Sequence, residues 1–202
     1  MSSISKQARQ RVPAAERRDA LIAAAIEEFA EGGLHGTPVD RIARRVGVAQ
    51  PYVFSLFPTK RDLFIAAVER GFENAIDCFT DSAAQFREQN PEGSYTRMDL
   101  LGALGDSYIE MLKNERPKLM FQLQAYAACN DETIRERVRV AYRQLAAVIS
   151  EITGATDDEI NEFLSHGMWL NVQAALQTMD LDAACDWIKS RRELDHAAQP
   201  SA

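Results

Sequence analysis

"RIARRVGVAQPYVFSLFPTK", residues 41–60, places four cationic side chains and three aromatic rings within twenty positions of a chain whose formal charge is −7. The spacing is that of two short helices joined by a tight turn. Ala43 is small where such helices cross, Gly47 allows the turn, and Ile42, Val46, Val48 and Val53 supply the apolar pins beneath. Arg41, Arg44 and Arg45 then fall on the outer side of the first helix. On the second, Gln50, Tyr52, Ser55 and Leu56 point outward, while Phe54 and Phe57 lie at the edge of the core. Upstream, Pro13 opens a first helix with an inward stripe of Leu21/Ile22, Ala25/Ile26 and Phe29, and Gly32-Gly33 supplies a left-handed stop. "TPVD" (37–40) reads as a helix start, with Thr37 as cap, Pro38 in the first turn and Asp40 at the capping-box position.

Helical periodicity continues almost throughout, and no alternating strand is evident. A long helix begins near Lys60 or Arg61, and "NPEGS" (90–94) ends it. Further helices are expected at about 96–113, 116–128, 132–152, 157–178 and 182–190. Asn130-Asp131 and Gly154 are breaks, and "TDDE" (156–159) is another capping box. The expected fold is all-α: a flexible basic arm (1–12), a three-helix head (13–60), a helical body (61–192) and a disordered tail (193–202).

Charge is split along the chain. Residues 1–60 carry nine Lys/Arg against six Asp/Glu, whereas the remainder carries 14 against 24. A cationic head on an acidic body suits a polyanion-binding module. Cys78, Cys129 and Cys185 are far apart, which suits reduced thiols in a cytoplasmic protein. No apolar run is long enough to span a membrane, and the N-terminus lacks the apolar core of a signal peptide. His35, His166 and His196 show no zinc spacing. There is no Gly-rich phosphate loop and no nucleophile elbow, so neither a metal, a cofactor nor an enzyme activity is expected.

Over "GLHGTPVDRIARRVGVAQPYVFSLFPTKRDLF" (33–64) the chain resembles the TetR family of transcriptional repressors. The resemblance lies in Gly-x-x-x-Thr, the I-A-x-x-x-G-V step, then Phe57, Pro58 and Lys60 before Leu63-Phe64. It covers about a quarter of the chain and implies a sequence-specific DNA-binding regulator, a repressor released by a small-molecule effector. Carried onto these positions, it implies that Gln50 offers its amide to an adenine edge, Pro51 touches a thymine methyl and Tyr52 sits beside them. Thr37, with the open amides of the second helix, and Lys60 would hold phosphates. Two positions depart from the family pattern. Phe54 stands where many relatives have a phosphate-contacting tyrosine, and Asp40 where the archetype has a base-reading arginine.

One head reads few base pairs, so a two-fold homodimer on a palindromic operator in double-stranded DNA is expected. The resemblance places dimerisation on the last two helices, where Ile160, Leu164, Gly167, Met168, Ala175, Leu181, Ala184 and Ile188 could form the seam. It also implies an effector site among the middle helices. Candidate lining residues are Phe72, Ile76, Phe79, Leu101, Tyr108, Met111, Phe121, Gln124, Cys129 and Trp169, which suit a largely apolar effector. Tyr108, Gln124, His166 and Asn171 stand out because buried polar groups need partners. The alternative function is a helical small-molecule-binding or protein-docking module that does not bind DNA.

Overall fold

The computed structural model describes residues 13–91 and 93–178. The basic arm, the 182–190 helix, the tail and the seam candidates Leu181, Ala184 and Ile188 lie outside the described residues. Within them every regular element is helical: α1 (Ala14–Gly36), α2 (Val39–Val46), α3 (Gln50–Leu56), α4 (Lys60–Gln89), α5 (Arg97–Asn114), α6 (Arg116–Ala127), a short 3₁₀ turn (Ala128–Asn130), α7 (Glu132–Thr153) and α8 (Asp157–Leu176).

Local chemistry sets most of these boundaries. Thr59, Thr96 and Thr156 each open a helix with a full capping box, using Asp62, Asp99 and Glu159 three residues on. Asp131 accepts from the amides of Thr133 and Ile134 to start α7. Gly47 and Gly154 close α2 and α7 in the left-handed conformation.

The start of α2 departs from the expected capping box. Pro38 is its N-cap and there is no side-chain cap. Thr37 is only 2% exposed and donates its hydroxyl to the Glu28 carbonyl at 3.0 Å. Asp40 pairs instead with Arg44 one turn on, at 3.2 Å. A Cβ on Gly32 would stand 2.5 Å from the Thr37 hydroxyl, so glycine at 32 is what allows that buried bond. The expected break at Gly32-Gly33 is present: Gly33 is non-helical at φ 62°, ψ −173°, and a further helical turn beyond this kink ends at Gly36.

Head and body share a core. α1 packs along both α4 and α6, and α4 runs from the head into the body against α5 and α7. At their junction the rings of Phe29 (α1), Phe64 (α4) and Phe121 (α6) meet. Their centroids are 4.9 Å apart for Phe29–Phe64, 5.3 Å for Phe64–Phe121 and 6.3 Å for Phe29–Phe121.

Candidate nucleic-acid interface and effector cavity

The turn between α2 and α3 is closed by the amides of Gly47 and Val48, which donate to the carbonyls of Arg44 and Ala43 at 3.0 Å each. Ile42, Ala43 and Val53 are fully buried beneath it and Phe57 closes the far edge. This packing turns Gln50, Pro51 and Ser55 of α3 outward. Phe54 joins them at 38% exposed, rather than lying at the core edge as its spacing suggested. The reason is helical phase: with Val53 and Phe57 inward, a residue 100° from Val53 and 60° from Phe57 lies on the flank of the face. Tyr52 occupies the opposite flank, half-buried against the core, with the Arg17 guanidinium 6.0 Å from its ring centroid. The exposed tip is therefore Gln50, Pro51, Phe54 and Ser55. Ser55 already donates its hydroxyl to the Tyr52 carbonyl at 2.7 Å.

The cationic residues are deployed differently from the expectation. Glu28 on α1 is 4% exposed, and a buried carboxylate needs cations beside it. Arg41 and Arg45 supply them: Arg41 pairs with Glu28 and Glu31, and Arg45 with Glu27 and, at 3.0 Å, Glu28. These two arginines clamp α2 onto α1 while remaining exposed on the outer side of α2. Arg44 stays outward; its pairing with Asp40 is an exposed one-turn contact of the kind worth little in water. Lys60 donates to the His35 carbonyl at 3.1 Å, tying α4 to the end of α1, and burial pushes its ammonium below the ordinary lysine value. Thr37, Arg41, Arg45 and Lys60 thus have structural partners within the head. The α1 acids that recruit the arginines are visible in the sequence, but not the face α1 turns towards α2.

The second feature is a largely apolar cavity in the body, open to solvent at its mouth. Phe72 and Phe79 of α4, Tyr108 and Met111 of α5 and Phe121 of α6 line it, as the sequence suggested. Ile76, Leu101, Gln124, Cys129 and Trp169 are not among its walls. Ile76 is half-buried and packs against the core, and Leu101 is fully within it. Cys129 sits in the 3₁₀ turn, its Sγ 3.4 Å from the Ala125 carbonyl. Gln124 lies on the opposite side of α6 from Gln122 and abuts Gly33 of the head. Trp169 is 43% exposed and stacks on His166, ring centroids 5.4 Å apart.

The converse holds on α8. Leu164, Gly167 and Met168, expected in a dimer seam, line the cavity, and Ile160 is buried within the subunit. Ala175 is half-buried. Gln122, Tyr126 and Asn171 also line the cavity, and are among its polar members. Among the described residues no helix is long and apolar enough to cross a membrane, and no group of His, Cys, Asp and Glu is disposed to hold a metal.

Residues 21–67 match the family described as bacterial regulatory proteins, tetR family. Across most of its length the chain is 26% identical, over 191 residues, to the HTH-type transcriptional activator FasR of Mycolicibacterium smegmatis, covering 92% of this chain and 78% of that one. The chain's helix-turn-helix head is that of a TetR-family regulator. Solved TetR-like structures share the fold over head and body alike. A regulator from Saccharomonospora viridis in complex with choline superposes with a TM-score of 0.71 at 18% identity, covering 89% of this chain and 96% of that one. FadR from Bacillus subtilis in complex with stearoyl-CoA gives 0.69 at 17%, covering 84% and 94%. The outer side of α8 carries exposed apolar side chains. Trp169, Val172 and Leu176, spaced three and four residues apart, stand 43%, 40% and 63% exposed. Such spacing puts them on one helix face.

Proposed function

We propose that this regulator grips a palindromic operator as a two-fold dimer and releases it, relieving repression, when a largely apolar small molecule fills the body cavity. The observation that carries this reading is Phe121. Its ring is a wall of the cavity and also a member of the aromatic cluster it forms with Phe29 and Phe64 of α1 and α4. A ligand that moves α6 therefore presses on the core that positions the head. It can act only to the extent that it favours the arrangement with the heads displaced. The largely apolar lining suits a ligand of the acyl kind found with FadR.

At the DNA, Gln50 and Pro51 are the base-reading pair, the first an adenine reader and the second a thymine-methyl contact. Arg44 and the uncapped first turn of α2 face the phosphates. Footprinting on DNA upstream of the regulator's own gene should reveal a protected two-fold site, lost on raising salt. Absence of protection at low salt would refute DNA-directed regulation there. Gln50→Ala should weaken binding to that site by about 1–3 kcal/mol and relax one base position in each half-site. A uniform loss on all sequences, measured by competition gel shift, would remove the reading role.

The dimer seam is placed on the outer α8 face. Trp169, Val172 and Leu176 form the described part of it. Leu176→Asp should raise the dimer dissociation constant at least about ten-fold, since it buries a charge in an apolar contact. Analytical ultracentrifugation reads this directly; an unchanged dimer would move the seam elsewhere.

A further inference from the structure

The cavity's polar end has a donor left over. Asn171, on α8, is 1% exposed, and its Nδ2 has no hydrogen-bond partner among the described residues. Its Oδ1 accepts from the Tyr108 hydroxyl at 2.7 Å, and that hydroxyl also lies 3.1 Å from Gln122 Oε1. Gln122 in turn reaches the Tyr126 hydroxyl at 3.0 Å. One phenol proton serves one acceptor fully, and the nearer is Asn171. The amide is thereby held with its NH₂ turned away from Tyr108, and all four residues line the cavity. A buried amide N–H without an acceptor is costly and rare in folded proteins, and a ligand atom is a natural partner for it.

The surroundings select the kind of acceptor. Burial pushes Tyr126 up to about 12 and Tyr108 higher still, so this end of the cavity penalises negative charge. Burial also pushes the His166 imidazole down, towards its neutral form. The ammonium of Lys118, at the cavity edge, is paired with Glu115. Among the described walls an anionic headgroup would meet no cation other than Lys118, already shared with Glu115.

We propose that Asn171 is the hydrogen-bond anchor of the cavity, and that its ligand is an apolar chain bearing one neutral acceptor: the carbonyl of an ester, thioester or ketone, not a free carboxylate. This rests on reading the cavity as a ligand site. The test compares methyl decanoate with decanoate, titrated calorimetrically into the full-length protein at neutral pH. The ester should bind at least about ten-fold more tightly, and Asn171→Leu should weaken ester binding about ten-fold while decanoate changes little. Without ligand, Asn171→Leu should melt no lower than the parent, because it removes an unsatisfied donor. Tyr108→Phe, which frees the amide from its fixed orientation, should weaken the ester several-fold and is a second variant should Asn171→Leu misfold. Equal affinity for acid and ester, no binding of the ester, or full ester affinity in the folded variants would overturn the proposal. A gel shift on the upstream DNA separates the two readings: ester bound through Asn171 with the DNA still held would sink effector control and leave the anchor standing.

Discussion

Phe121→Ala should lower folding stability by about 3–5 kcal/mol, the largest single effect expected of any position near the cavity. The ring is 2% exposed and packs edge-on against Phe64, stacked towards Phe29 and within 3.9 Å of a Cβ built at Gly71. Removing it deletes aromatic contacts from three helices at once. α6 is held there by packing on both of its sides, so the gap cannot close without moving α6. Denaturant titration checks the stability loss. The functional consequence is sharper: the folded fraction should bind DNA whether or not the cavity is filled. Leu119→Ala provides the comparison. Leu119 is also 2% exposed and lines the cavity, but lies outside the ring cluster. It should cost about 2–4 kcal/mol yet keep the ligand response. If Phe121→Ala responds to ligand as the parent does, the cavity and the head communicate by another route.

Gly33→Ala should cost about 3 kcal/mol, most of it from the backbone. With φ 62° and ψ −173°, Gly33 occupies a region essentially reserved for glycine. A Cβ there would also stand 2.6 Å from Gln124 Oε1, but that atom ends a flexible side chain and can swing aside. Strain therefore outweighs the clash. The double variant Gly33→Ala/Gln124→Ala should recover only a minor part of the loss in thermal melts. Recovery of most of it would put the cost in the contact with α6 instead. Because this kink sets how α1 leaves the head and meets α6, the single variant should also weaken DNA binding out of proportion to its unfolded fraction.

Local signals carried the elements well. The 50–56 helix, the Gly47 turn, the break at Gly154 and the Thr156 capping box are where residue chemistry placed them, because each is decided within four residues of chain. The Thr59–Asp62 capping box has the same form and opens the helix expected near Lys60 or Arg61. Thr37 shows where this logic stops. Its sequence context is that of a cap, but the carbonyl of Glu28, nine residues earlier, took its hydroxyl. Arg41 and Arg45 show the same limit: they stay exposed on α2, as its phase requires, but Glu27, Glu28 and Glu31 of α1 take their guanidinium groups as partners.

The same division separates the two faces of α8. Periodicity marks an apolar helix but does not say which stripe is turned inward, and a rotation of 100° exchanges Met168 for Trp169. Hence Trp169 left the cavity for the surface, while Leu164, Gly167 and Met168 took the reverse path. By itself the sequence determined an all-helical chain with a helix-turn-helix head, since helix starts, stops and amphipathic period are short-range properties. Which polar groups remain free for DNA or ligand was decided only by tertiary packing. A hydrogen bond or ion pair between distant residues is settled by which helix faces meet, as in the unpartnered Asn171 amide and the two arginines held by Glu28.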